Sequence, residues 1–199
     1  MLHPYTRVQF INELKGYGVV ATRRIPMGTI TWVQDRLDQI MDISEVEKLE
    51  KVYRDIIDTY TFRDNQGKYV LCWDHGKYIN HSFNANCLTT PYNFEIAVRD
   101  IEEGEEFTDD YGYLNVSEPF YPDDENTERK VVYPDDLVRF HKDWDAKLEI
   151  AFMKILSVDQ QLMNLISPEQ LETIQAVIGK ERKMDSILNC YYEPNGKNH

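Results

Sequence analysis

Two stretches organise this sequence: Tyr78-Ile79-Asn80-His81-Ser82, and Gly104-Glu105-Glu106-Phe107-Thr108-Asp109-Asp110-Tyr111-Gly112. Each is a polar run between apolar, strand-like segments, where a scaffold places a small-molecule site rather than a core. Tyr69-Val70-Leu71-Cys72-Trp73 precedes the first run, and Phe94-Glu95-Ile96-Ala97-Val98 precedes the second. Both flanks read as strands from their β-branched and aromatic content.

Outward from these runs, Phe10 to Trp32 alternates in hydropathy and carries turn punctuation. Val19-Val20-Ala21 and Thr29-Ile30-Thr31-Trp32-Val33 are strand-like, with Pro26-Met27-Gly28 as the turn between them. Ser44 to Tyr60 switches to helical period. Ser44 and Glu47 have capping-box spacing, and Val46, Leu49, Tyr53, Ile56 and Tyr60 trace one stripe. After the acidic segment Glu118 to Asp136, Leu137 to Leu156 puts Leu137, Phe140, Trp144, Leu148 and Ile155 on one broad face. Ser167-Pro168-Glu169-Gln170 starts a further helix that Gly179 stops. The expected organisation is a β-rich body over residues 1–117 with an inserted helix at about 44–60, an acidic linker over 118–136 and a helical C-terminal lobe over 137–199.

At 199 residues the chain holds one substantial core and at most a small appended lobe. Its 22 basic and 35 acidic residues give a net charge of −13. That balance repels a phosphate backbone, so direct nucleic-acid binding is not expected, and it attracts basic peptides. Cys72, Cys87 and Cys190 are far apart and odd in number, without zinc-ligand spacing; no metal site or disulfide framework is expected. There is no basic start followed by a long apolar run, and no apolar stretch long enough to span a bilayer. A soluble protein of a reducing intracellular compartment is the expectation, cytoplasmic, or nuclear if eukaryotic.

Three segments carry candidate chemistry. Gly16-Tyr17-Gly18 lets backbone pass close to a ligand beside an aromatic surface, although a Gly-x-Gly also describes an ordinary turn. Asn80 offers both donor and acceptor, while an Asn-His-Ser run also describes a polar loop capped by its own side chains. Tyr111 presents a phenol, either to a ligand or to a buried carbonyl.

Taken together, these three segments resemble the signature of the SET-domain protein-lysine methyltransferases over roughly residues 12 to 115. The resemblance implies a mainly β fold with α-helices, of the SET type (β-clip): small curved sheets and a pseudoknot in which the Asn80 and Tyr111 segments cross. It implies S-adenosyl-L-methionine as cofactor, held by Gly16, Tyr17, Gly18, Asn80, His81 and Tyr111. Asn80 would contact the methionine part and His81 would give mainly backbone bonds to the adenine. Tyr111 is the implied catalytic residue, placed where the methyl group meets the lysine amine. The implied partner is a protein presenting a lysine in a basic segment. Histone tails, ribosomal proteins and metabolic enzymes are substrates of relatives.

The sequence departs from the family's pattern in three places. Phe83-Asn84-Ala85-Asn86 stands where Cys-x-Pro-Asn is usual, and the cysteine-rich zinc-binding flanks are absent. Asp109 stands two residues before Tyr111, where Tyr or Phe is usual and influences how many methyl groups are added. If Thr108 to Tyr111 is extended, Asp109 and Tyr111 point the same way. Asp109 then stabilises the lysine ammonium, holds a water or accepts the leaving proton. Alternatively it faces solvent, and Tyr60 or Phe62 forms the channel wall. Tyr113 joins these as a candidate channel residue, and Tyr113, Phe120 or Tyr121 as a cover for the adenine ring. The segment after Gly112 and the helical tail are expected to close the sites, or else to pack on the body or form a homo-oligomer surface. Two rival functions remain: a SET-like module that binds a lysine peptide without methylating it, and a structural protein whose helices drive oligomerisation.

Overall fold

Turn chemistry sets the first element. The side chain of Asn12 accepts hydrogen bonds from the backbone N–H groups of Leu14 and Lys15 at 2.9 and 2.8 Å, which reverses the chain. The strands on either side, β1 (Thr6–Asn12) and β2 (Gly16–Ala21), form an antiparallel hairpin. The computed structural model describes residues 1–193; the last six residues of the expected helical lobe lie outside the described residues. The chain continues through β3 (Ile30–Val33), β4 (Gln39–Met41), α1 (Ile43–Val46), α2 (Lys51–Tyr60), β5 (Thr61–Arg63) and β6 (Tyr69–Leu71). It then forms β7 (Asn80–His81), β8 (Cys87–Thr89), β9 (Phe94–Ala97), β10 (Thr108–Asp109), α3 (Asp136–Phe152) and α4 (Pro168–Ile178).

The sheets are small, as expected. β3-β9-β8 and β4-β6-β5 are antiparallel triplets, and β7 pairs with β10 in parallel. That last pair is the crossing on which the site depends: Asn80 lies beside Thr108 and His81 beside Asp109.

The triplet β3-β9-β8 separates two cores. Ile30, Leu88, Phe94 and Ile96 face one side, where they pack with Leu137, Trp144, Leu148, Phe152 and Ile174 of α3 and α4. Cys87 and Ala97 face the other, with Val19, Ile25, Trp32, Ile79, Ile101 and Phe107. Strand alternation predicts that Ile30 and Trp32 share a face. They do not, because the register of β3 against β9 shifts between them, and a bulge turns the following side chain over. Alternation also assigns Glu95 the face of Ala97, opposite Phe94 and Ile96. The C-terminal helices therefore share a core with the central sheet.

The element readings hold at α4, where Ser167 Oγ accepts from the N–H of Gln170 at 3.2 Å and Gln170 Oε1 accepts from the N–H of Ser167 at 2.7 Å. They need correction at 44–60. The helix is broken in two, and its first piece is held by the Asp42 N–H donating to Glu45 Oε2 at 3.1 Å rather than by Ser44 and Glu47. Of this region's apolar residues Val46 and Ile57 are buried, while Tyr53 and Ile56 of the expected stripe lie 54% and 48% exposed. Periodicity reports a helix but not the surface available to cover it, and α2 packs mainly on the edge formed by β5 and β6.

The shared core has a measurable consequence. Leu148→Ala is expected to cost about 2–5 kcal/mol. Its denaturant unfolding should remain one transition, with tryptophan fluorescence and far-ultraviolet dichroism coincident. Separate melting of the helices before the sheets would contradict the shared core.

Candidate active site

The crossing strands are pinned by one carboxamide. Asn86 is 1% exposed; its Nδ2 donates to the Glu106 carbonyl at 2.8 Å and its Oδ1 accepts from the Thr108 N–H at 2.9 Å. It thus reads β10 as a neighbouring strand would. The Ser82 N–H donates to the Asp109 carbonyl at 2.9 Å, extending the parallel pair. Gly104, at φ +83°, makes the turn that feeds this strand, a conformation in which a side chain is disfavoured.

Beside the crossing lies a cleft of about 780 Å³, lined among others by Asn80, His81, Asp109 and Tyr111. The Asn80 and Tyr111 side chains therefore open on one cavity. Asn80 Nδ2 donates to the Tyr17 carbonyl at 3.1 Å and to Glu106 Oε1 at 2.7 Å, and Lys15 Nζ meets Glu106 Oε2 at 3.0 Å. These contacts explain the second glycine of Gly16-Tyr17-Gly18. A Cβ on Gly18 would stand 2.5 Å from Glu106 Oε1 and 2.8 Å from Asn80 Nδ2. The Tyr17 ring itself is 60% exposed and packs edge-on against Phe10; its backbone carbonyl, not its ring, faces Asn80.

Tyr111 Oη donates to the Ile79 carbonyl at 3.0 Å, and the Tyr111 N–H donates to His81 Nδ1 at 3.1 Å. With its proton engaged, the phenol turns lone pairs toward whatever enters the cleft. Burial, then the charges of Asp109 and Glu106, raise its pKa, so it stays neutral. His81 is lowered to about 3 by burial, with Arg129 and Lys15 adding to the effect. It is a neutral imidazole that accepts through Nδ1, which leaves the proton on Nε2. That atom is buried without a hydrogen-bond partner among the described residues. His81 is thus neither a cation nor a free base.

The other expected residues separate. Tyr60 and Phe62 line the cleft, Tyr60 edge-on to Tyr78 and Phe62 edge-on to Trp32. Phe120 and Tyr121 also line it, and Phe120 lies 5.3 Å from the Tyr111 ring. Tyr113 does not: it is 2% exposed, packs against Trp144, and is available neither as channel wall nor as a cover for a ring. The chain stays extended through Asp110 and turns at Tyr111, because Tyr111–Tyr113 is a 3₁₀ turn. Asp109 faces the cleft at 6% exposure, which excludes its solvent-facing alternative. The wall after Gly112 comes from residues 114–125; among the described residues none of α3 or α4 lines the cleft.

Several side chains that matter here were not singled out in the sequence. Glu125 Oε2 accepts from Ser82 Oγ and from the Phe83 N–H, each at 2.9 Å, and so ties the covering segment to the Asn80 strand. Arg129 pairs with Asp110 and, at 2.6 Å, with Asp136 at the start of α3, and its guanidinium lies over the rings of Phe83 and Phe140. Through Asp110 it holds the residue preceding Tyr111. Glu95 joins Asp109 on the cleft lining. An acidic residue inside the apolar run Phe94 to Val98 was the one signal available for it.

Burial pushes Asp109 up to about 7 against the hydrogen bond from Tyr113, and Asp110 adds to the rise. Burial first and the Asp109 charge second push Glu95 well up, against the pull of the Met1 ammonium. A folded carboxyl that keeps its proton to about pH 7, where an unfolded aspartate releases it near 4, stabilises the fold fully below the lower value. That stability is lost as pH rises from about 4 to about 7. Asp109→Asn cannot ionise, so it should match the wild type near pH 4 and exceed it by about 2–4 kcal/mol at pH 8. Thermal melts at the two pH values check this, and equal differences at both would refute it.

Comparison with known proteins matches residues 16–112 to the SET domain family model. N-lysine methyltransferase KMT5A-A of Danio rerio is 33% identical over 121 residues, a match that covers 53% of this chain and 34% of that protein. Histone-lysine N-methyltransferase Set2 of Drosophila melanogaster is 32% identical over 117 residues, covering 53% of this chain and 5% of that protein. The chain thus spans a minor part of either relative's length. With its Asn80-His81 strand threaded beside its Thr108-Asp109 strand, the segment 16–112 of this chain is similar to the SET domain.

Proposed function

We propose that the chain transfers methyl groups from S-adenosyl-L-methionine to lysine side chains of a protein substrate. The observation that carries this reading is the opening of the Tyr111 phenol and the Asn80 carboxamide on one cleft across the threaded strands. A pure peptide binder has no need of the Gly18 approach or of the Asn80 anchor.

The residues present fit the cofactor. Gly18 leaves room beside Asn80 that a Cβ would fill. Lys15 and Asn80 offer donors for a carboxylate, and the Tyr17 carbonyl offers an acceptor for an ammonium. Phe120, on the same wall, is our candidate for covering the adenine, with Tyr121 beside it. When bound, the cofactor supplies an electrophilic methyl group on a sulfonium.

The chain's own residues handle the amine. A lysine ammonium has no lone pair and a reference pKa of about 10.4, so it must lose a proton. The apolar walls from Tyr60, Phe62 and Tyr111 disfavour the charged form by desolvation. The Tyr111 oxygen, its proton given to Ile79, accepts from the amine N–H and fixes the direction of the lone pair. Asp58, Glu118 and Asp123 at the rim favour a basic peptide segment.

The test is mass spectrometry of basic proteins incubated with the purified chain and isotopically labelled methyl donor. Label on lysine is expected, with Tyr111→Phe lowering transfer by roughly 10²-fold. Gly18→Ala should weaken calorimetric binding of S-adenosyl-L-methionine at least about tenfold, since the added methyl displaces Asn80 or Glu106. No heat of cofactor binding by the wild type would remove the catalytic reading and favour a structural role.

A further inference from the structure

The lining of the cleft holds two buried carboxyl groups. Glu95 is 7% exposed and its Oε2 has no hydrogen-bond partner among the described residues. Trp32, on the same lining, has a buried Nε1 that is also unpartnered. Asp109 completes the group. Buried polar atoms without partners are costly, and two like charges in one dry site are costlier.

The proton inventory around Tyr113 is informative. Its Oη lies 2.9 Å from Asp109 Oδ1 and 3.0 Å from the Cys87 carbonyl, and it accepts from the Asp110 N–H at 3.1 Å. A phenol has one proton to give. It cannot serve both oxygens, and the conflict disappears when Asp109 is protonated. Asp109 then donates to Tyr113, and Tyr113 donates to Cys87. Of the cations around the cleft, Arg129 pairs with Asp110 and Asp136, Lys15 with Glu106 and the Met1 ammonium with Asp35, while Arg63 and Lys77 on the lining lie over the rings of Tyr69 and Tyr78. The pair therefore has vacant acceptor capacity on the cleft lining and, among the described residues, no salt-bridge partner.

We infer that Asp109 and Glu95 form the receptor for the charged ε-amino group of the incoming lysine and accept its proton. The identity of the amine rests on the methyltransferase reading above. In the step, one N–H bond of the ammonium breaks and its electron pair stays on nitrogen as the lone pair. One O–H bond forms on a carboxylate, and the ion pair becomes a neutral amine and a neutral acid. The proton later leaves to water at the mouth of the cleft. Free in water this transfer is uphill, but a water-poor pocket favours the neutral products over two buried charges. An acceptor that titrates near neutrality suits a general base.

The surrounding groups do not compete for that role. Tyr111, Tyr113, Cys72 and Cys87 are pushed up by burial and stay protonated. His81 is neutral, and Asp38 and Asp74 do not line the cleft. The Met1 ammonium opposes the rise at Glu95, and the Arg129-bound Asp110 adds to the rise at Asp109.

Two measurements on the full chain test the inference. The first is a carbon-13 carboxyl titration by magnetic resonance with and without n-butylamine, which presents the lysine ammonium alone. Butylammonium should lower the midpoint of the Asp109 signal by about half a unit or more. Its affinity should rise up to about tenfold per pH unit below that midpoint. Asp109→Asn and Glu95→Gln, which keep shape, should each weaken it about fivefold or more and flatten the pH dependence. Carboxyl signals unmoved by butylamine overturn the receptor.

The second measurement is kcat/KM for methylation of mixed basic proteins across pH. Asp109→Asn should move the acid limb at least about one unit toward alkali, with about tenfold loss near pH 7 and recovery near pH 9–10. A structural lesion would not recover. An unshifted limb overturns the proton-acceptor role and leaves the methyltransferase reading intact. Absence of transfer by the wild type, with the butylamine linkage present, overturns that reading and supports the ammonium receptor.

Discussion

The geometry of this protein depends on one buried carboxamide. Asn86 holds the Glu106–Thr108 backbone through both ends of its side chain, and its own carbonyl accepts from the Val98 N–H at 2.9 Å. It therefore joins β9, the turn before β8 and β10 at one point. A two-residue parallel pair such as β7 with β10 has too few ladder bonds to be stable alone. The side-chain bridge supplies what the ladder lacks, and the pair in turn fixes where Asn80 and Tyr111 stand. An isolated strand has no reason to lie there.

A second anchor works from the opposite side. The acidic segment before α3 has little regular structure, yet Phe120 pairs with Val132 as an isolated bridge and Arg129 connects Asp110 to Asp136. Breaking a buried pair by removing one partner leaves an uncompensated charge, so such a network resists partial change. Among the described residues, α3 and α4 do not line the cleft. Asp136, at the start of α3, holds Arg129 instead, and Arg129 steadies the residue before Tyr111. The expectation that the helical tail closes the sites is replaced by a division of labour, in which residues 114–125 provide the wall and the helices hold its base.

Much of the fold was legible because it is written in local chemistry. Ser167, Pro168, Gln170 and Gly179 specify both ends of α4 within a dozen residues, and the strands around residues 19–21, 30–33, 69–71 and 94–97 announce themselves by composition. The split of the helix at 44–60 was not legible, since it depends on which surface β5 and β6 leave free. The flip of Trp32 was not either, because a bulge is a property of two strands together. In the site, Tyr111, Asn80 and Gly18 were legible from motif. Arg129 and Glu125 were not, because their partners lie 19 and 43 residues away in sequence and their neighbours look like solvated acidic linker. Tyr113 misled for the converse reason: an aromatic beside a motif reads as a ligand surface, while the 3₁₀ turn sends it into the core.

Asp109 and Glu95 show how a local inconsistency can carry information. Each breaks a rule of its element, a carboxyl inside an apolar strand and a carboxyl where the family usually has an aromatic ring. Either alone would be an expensive irregularity. Together they line the same cavity, and the Asp109 charge raises the proton affinity of Glu95. An aromatic at position 109 shapes a channel by volume alone. A carboxyl there shapes it by charge, and its charge depends on pH. The residue that departs furthest from the family's pattern thus stands beside the phenol that follows it most closely, and the channel they share discriminates a protonated amine from a neutral one through the state of its own lining.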